Sequence, residues 1–286
     1  MTSAFALFVA LAMLLAPGPD QAQAPALDAP TQEALAKVFD GPAALAKTDA
    51  PAVCILDIQH PEAARRHLET KPASEYGGRK LRAKVEQLTG LKCLLVHFTQ
   101  VTGQDLDRPH LKAILITGRS KSFSKAQDRQ FYGLIRNTRI PMIGFCGGMQ
   151  LIGRAFAAKV APLRKLRPDE KDPNPKYHPG LFKEWGFLPV KILRRDPLFD
   201  GLPDEIIVCE RHAFQMTVVP PEFDLLASSP ACRVQAIRHK DRVLYGTQFH
   251  PEAYDNAHLH GKKVLENFFR AAGIAPPAAK PPASSR

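Results

Sequence analysis

The sequence predicts an α/β fold: a central, mostly parallel sheet covered by helices on both faces and continued by an antiparallel extension. Three observations carry this. Four short apolar runs, 52–58, 91–98, 110–117 and the one entering Cys146, alternate with segments of helical period. The runs are apolar almost without interruption, as strands buried on both faces must be. From residue 187 onward, short strands separated by turns replace the helices.

Composition sets the outer limits. The chain has 286 residues, 45% of them apolar, enough for one large α/β domain or two small ones. The formal charge is +11, but the basic residues are scattered, most densely between Arg164 and Arg195. They have no interleaved aromatics and no helix-turn-helix or zinc-finger spacing, so a solvated basic surface is expected and no specific nucleic-acid contact. Cysteines stand at positions 54, 93, 146, 209 and 232. An odd number leaves at least one free thiol in an exported protein. Cys54 and Cys93 fall in expected core strands, and Cys209 and Cys232 are able to pair in an oxidising compartment. No C-x-x-C or Cys/His cluster points to a metal site, and no cofactor is expected.

Taken in order, the chain opens on an apolar run from Ala4 to Ala16, the length of a signal-peptide core and short for a membrane span, with Ala22-Gln23-Ala24 as a cleavage site. Residues 1–24 are therefore expected to be an export signal, and a mature chain without a transmembrane span follows. The protein is then periplasmic or secreted; without the signal it is cytoplasmic. Residues 25–50, rich in Ala and Pro, read as a linker with one loose helix, and 51–273 as the domain. Pro61 to Gly90 reads as two helices, the second with Leu81, Val85 and Leu88 on one face. Ser124-Lys125-Ala126-Gln127 matches a capping box opening a helix with Phe131, Leu134 and Ile135 inward. Residues 160–185 form a polar, Pro-rich surface excursion. Strands are expected at 187–193, 205–209, 213–219, 224–228, 233–238 and 242–249. A last helix carries Val264, Leu265, Phe268 and Phe269 and stops near Gly273; the tail 274–286 is Pro/Ala-rich and expected to be disordered.

Two stretches carry chemistry. Gly144-Phe145-Cys146-Gly147-Gly148-Met149-Gln150 sits between a strand and a helix with Leu151, Ile152, Ala155 and Phe156 on one face. That is the form of a nucleophile elbow, in which small neighbours allow close packing and a strained turn exposes the side chain. A thiol there lies at a helix N-terminus, which favours the reactive thiolate. In Gln248-Phe249-His250-Pro251-Glu252 a strand delivers a His held extended by the following Pro, with a carboxylate two residues on. The carboxylate can fix one ring nitrogen and leave the other to act on Cys146, the logic of a nucleophile, base and orienter.

With both motifs complete and in this order, the chain resembles the class I glutamine amidotransferases over residues 51 to 273. Arg211-His212-Ala213-Phe214, the run 225–229 and Asn267-Phe268-Phe269 add to the likeness. Stand-alone γ-glutamyl hydrolases share this domain and triad. The resemblance implies a flavodoxin-like three-layer sandwich and hydrolysis of a γ-glutamyl amide, of glutamine or another small γ-glutamyl compound, through a thioester on Cys146. It implies His250 as acid and base, Glu252 as its orienter, Gly147 and Gly118 as oxyanion donors, and Gln150 as a contact to the glutamyl part. The chain departs from the family at Thr117-Gly118-Arg119-Ser120, where a second glycine is usual. Arg119 there pays backbone strain, reshapes the oxyanion loop, holds a substrate carboxylate or stands idle. His212 reads as structural. A glutaminase that delivers ammonia to a separate synthetase partner, and a degenerate binding protein, are the alternatives.

Overall fold

The computed structural model describes residues 24–277; the expected export signal, apart from Ala24, and tail residues 278–286 lie outside the described residues. Helices α1 (Ala29–Val38) and α2 (Pro42–Ala46) come first. β1 (Ala52–Asp57), α3 (Glu62–Leu68), α4 (Gly77–Thr89) and β2 (Lys92–His97) follow, then α5 (Gly103–Leu106) and β3 (Leu111–Ile116). α6 (Lys125–Arg129) and α7 (Tyr132–Asn137) lead to β4 (Met142–Phe145) and α8 (Gly147–Ala155). The second half holds β5 (Val160–Pro162), β6 (Glu184–Ile192), β7 (Glu205–His212), β8 (Phe214–Met216), β9 (Phe223–Ser228), β10 (Ala236–His239), β11 (Leu244–Thr247) and the helix α9 (His260–Ala271). None of the described helices is long and apolar enough to cross a membrane.

The main sheet runs β2-β1-β3-β4-β11-β10-β9-β6-β7. Its first five strands are parallel and the rest antiparallel. This is the expected α/β sandwich of flavodoxin-like order, with an antiparallel extension. Apolar clusters fill both faces. One gathers Val85, Phe145, Phe249, Phe268 and Phe269, the other Leu56, Phe98, Phe131, Leu151 and Ile152. The apolar faces expected on α4, α8 and α9 are the ones that pack. Helix α4 ends on Gly90 at φ 68°, a left-handed cap that suits glycine.

Several expectations change. Residues 25–50 are not a linker: α1 and α2 pack against the domain, with Leu35, Val38, Phe39 and Leu45 buried. An Ala-rich stretch reads as featureless, yet Ala is the strongest helix former, and Asp28 caps α1 by accepting the Thr31 N–H at 2.9 Å. Beyond α1, Asp40 N–H donates to Leu95 O at 2.7 Å and its carboxylate accepts the Leu95 N–H at 2.9 Å, so the segment covers the exposed edge of β2. β11 belongs to the parallel half, with Gly246 opposite Gly144. The strand expected at 213–219 is β8, which pairs with β5 outside the main sheet. The capping box at Ser124 is half formed: Ser124 accepts the Gln127 N–H at 3.5 Å, but the Gln127 amide donates to Phe98 O instead of returning. The helix it opens breaks into α6 and α7. All five cysteines are free and buried, so Cys209 and Cys232 are unpaired. The start of the tail is packed, with Ile274 buried.

The docking of α1 gives a direct test of the corrected boundary. Leu35→Ala removes a fully buried side chain and is expected to cost about 2–5 kcal/mol in urea unfolding, whereas a linker residue would cost almost nothing.

Candidate active site

Cys146 adopts φ 48° and ψ −104°, a strained conformation for a residue with a side chain. Glycines on either side make it possible. A Cβ on Gly144 would stand 2.5 Å from the Gly148 carbonyl carbon, and one on Gly148 would stand 2.3 Å from Ile116 O. β3, β4 and the first turn of α8 therefore touch backbone to backbone. Cys146 caps α8, whose first N–H groups have no acceptor within the helix. The adjacent strand completes the support, for Cys146 N–H donates to Thr247 O at 2.7 Å.

That pairing explains how motifs a hundred residues apart meet. β4 and β11 are parallel, with Thr247 opposite Phe145, so their carboxyl ends lie side by side. The chain leaving β11 is fixed again where His250 N–H donates to Cys209 O at 2.8 Å. Pro251–Ala253 then makes a single 3-10 turn, which folds Glu252 back so that its Oε1 lies 2.7 Å from His250 Nδ1. The other edge of the ring faces Cys146: a Cβ placed on Gly118 would stand 3.5 Å from His250 Nε2 and 3.4 Å from Cys146 Cβ. Burial pulls the His250 pKa down, but the Glu252 charge, its hydrogen bond and the Cys146 sulfur beside the ring outweigh it and hold the ring well above its usual value.

The loop after β3 closes the third side. Thr117 Oγ1 accepts the Ile58 N–H at 3.1 Å, and Ser120 N–H donates to Gln59 Oε1 at 3.1 Å, so the segment after β1 pins the loop. A Cβ on Gly118 would lie 2.7 Å from His250 Cε1 and 3.4 Å from Cys146 Cβ, and one on Gly147 would lie 2.9 Å from Arg119 N. The structure thus brings Gly118, Gly147, Cys146 and His250 into one place. Arg119 pays no left-handed strain, and it is neither idle nor free to hold a substrate carboxylate. Its φ is not positive, and its guanidinium makes two 2.7 Å hydrogen bonds to Asp128 with both side chains only 5% exposed. It anchors the loop to α6 and holds no free charge for a substrate.

His250 stands between two cavities. A small pocket of about 110 Å³ is lined by Cys146, Gln150, Tyr177, His178, His212 and Phe214. An open cleft of about 680 Å³ on the other side is lined by Gly118, His250, Glu252, Lys84, Tyr76 and Asp57. Burial pushes the Asp57 carboxyl up to about 6, against the pull of hydrogen bonds from Gln59, Tyr76 and Thr117. In the small pocket, the Gln150 amide nitrogen lies 3.2 Å from Gln248 Oε1 and 3.4 Å from Phe214 O, which leaves its oxygen as the group available to a ligand.

His212 is fully buried. Its Nδ1 is 2.9 Å from Phe214 O, and its Nε2 lies 3.0 Å from Glu184 and 3.1 Å from Glu210. Burial lowers the imidazole pKa, yet the two carboxylates push it up to about 10. Glu184 also accepts from Ser229 at 2.6 Å and Gln235 at 2.9 Å. The carboxylates, Asp128, Tyr177, His178 and Lys84 were not singled out by the sequence. Glu184 follows Lys183 and Glu210 precedes Arg211, so in the sequence neither stands out from its charged neighbours.

A titration tests the electrostatics. Glu252→Gln removes the charge that raises His250, so the His250 ring titration, followed by NMR, is expected to fall. The raised pKa also stabilises the fold, fully below the ordinary value near 6.5 and decreasingly as pH rises through the folded-state titration.

The Glutamine amidotransferase class-I family model matches residues 80–272. A subunit of the glutamine-hydrolyzing GMP synthase of Pyrococcus abyssi is 34% identical over 135 residues, 47% of this chain and 61% of that protein. The subunit of the same name from Methanococcus maripaludis strain C7 is 31% identical over 166 residues, 58% of this chain and 76% of that protein. The match thus spans less than two thirds of the Pyrococcus protein's length. Among solved structures, a Thermoplasma acidophilum protein provisionally described as a GMP synthase subunit superposes with a TM-score of 0.58. It is 23% identical, covering 79% of this chain and 96% of that one, and speaks to the fold. With that family model matching well over half its length, the chain belongs to the class I glutamine amidotransferases.

Proposed function

We propose that this protein hydrolyses the side-chain amide of glutamine through a γ-glutamyl thioester on Cys146. The observation that carries the reading is the alignment of Glu252, His250 and Cys146, with one ring nitrogen 2.7 Å from the carboxylate and the other facing Cys146 across Gly118. The imidazolium stabilises the thiolate beside it. The thiolate attacks the amide carbon, and the negative charge passes to the oxygen, which the N–H groups of Gly147 and Gly118 receive. His250 gives its proton to the departing nitrogen, the C–N bond breaks, and ammonia leaves the thioester behind. Water then loses a proton to His250 and attacks, the C–S bond breaks, and glutamate is released. Gln150 binds the glutamyl part with its amide oxygen. The pocket beside Cys146, about 110 Å³, is well under the roughly 300 Å³ at which drug-sized sites begin and supports a group as small as a glutamyl side chain next to the sulfur.

Two arrangements fit this chemistry. The apolar N-terminal run supports a free-standing, exported hydrolase, since ammonia released outside the cytoplasm is lost to a synthetase. The relatives named as GMP synthase subunits support the other, a glutaminase that hands ammonia to a separate synthetase. The purified chain, given glutamine and small γ-glutamyl peptides, decides between them by release of ammonia and glutamate. The expected result is turnover on glutamine that falls to background in Cys146→Ala. Turnover that appears only when a synthetase is added establishes the second arrangement, and turnover that survives Cys146→Ala overturns the mechanism.

A further inference from the structure

Glu252 makes a hydrogen bond through one oxygen, Oε1 to His250, while its Oε2 is buried with no partner among the described residues. A carboxylate held at one oxygen can pivot there, so its direction depends on the backbone that carries it. That backbone is one 3-10 turn, too short to be rigid alone. On one side it is closed by α9: a Cβ on Gly261 would stand 2.5 Å from Pro251 O. On the other side stands a single side chain from the middle of α4. Lys84 Nζ donates to Glu252 O at 2.7 Å and to Tyr254 O at 3.1 Å, and sits 3.9 Å over the Tyr254 ring. The ammonium so brackets the turn from Glu252 to Tyr254, 168 residues away in sequence from the first of these contacts.

We propose that Lys84 is a positioning residue: by clamping the carbonyls of Glu252 and Tyr254 it fixes the direction in which Glu252 meets His250. The clamp acts on the backbone of the turn and touches neither the substrate nor the sulfur. An ammonium supplies the several N–H donors that two carbonyls need, and methionine of similar length supplies none. The proposal rests on the reading of Cys146, His250 and Glu252 given above.

The test compares Lys84→Met, Lys84→Arg and Lys80→Met, the last lining the same cleft. Thermal melting is followed for each. In Lys84→Met the His250 titration is expected to move down, in the same sense as in Glu252→Gln. The kcat for glutamine is expected to fall by about 10–100-fold, the usual cost of losing an orienting partner, with KM little changed. Lys84→Arg, which keeps the charge and the donors on a differently shaped head, is expected to lose less than Lys84→Met in both, and Lys80→Met leaves both as in the wild type. An unmoved His250 titration in Lys84→Met, or a loss expressed in KM alone, overturns the proposal. Should the Met variant not fold, Lys84→Gln is read by the same criteria. The titration needs no substrate, so a chain that releases no ammonia would sink the hydrolase reading and still leave the clamp to be judged.

Discussion

The backbone of Cys146 turns through φ 48° and ψ −104°, and most of what surrounds it follows from holding that turn in place. A conformation that costs on the order of 1–3 kcal/mol persists where its surroundings over-determine it. Here the strands and helix around it approach so closely that Gly144 and Gly148 have no room for a methyl group. The hydrogen bond from Cys146 N–H to Thr247 O ties the turn to β11, and the parallel pairing of β4 and β11 then sets the distance to His250. Moving β11 by one residue would turn the His250 segment to the other face of the sheet. The sheet thus acts as a ruler that brings two local motifs into contact.

Around this turn, buried charge supplies orientation more than stability. Arg119 and Asp128 form a bidentate pair almost sealed from solvent. Such pairs return little net stability, because desolvation offsets their attraction, but they hold one geometry. What Arg119 holds is the loop that carries Gly118 against the His250 ring. On the opposite side, Glu184, Glu210 and His212 form a buried cluster under the Cys146 pocket, and through Phe214 O it shares a wall with Gln150. The same principle extends to the turn bearing Glu252, whose carboxylate has one bonded oxygen and whose backbone is clamped by Lys84. The site is built from groups that fix one another's direction.

Much of this was legible in the sequence because it is written locally. Continuous apolar runs gave β1 to β4, and helical spacing gave the inward faces of α4, α8 and α9. Gly-x-Cys-x-Gly and Gln-Phe-His-Pro-Glu each encode a turn by the residues within it. What was missed depends on partners distant in sequence. Arg119 could not be read because its partner Asp128 looks like any polar residue on a short helix. Lys84 reads as a solvated face of α4 until the fold lays the Glu252 turn across it. The direction of β11 is invisible to a pattern of alternating residues, and residues 25–50 look like linker because Ala and Pro hide four apolar anchors, Leu35, Val38, Phe39 and Leu45.

The central claim is that the strained thiol forms a covalent bond to the substrate. Mixing the protein with glutamine, quenching in acid within milliseconds and digesting for mass spectrometry tests it most directly. The account predicts one glutamyl group on the peptide that contains Cys146, lost as the quench is delayed beyond substrate exhaustion. Ammonia release with no such adduct at any time, or with the group on another cysteine, would contradict it.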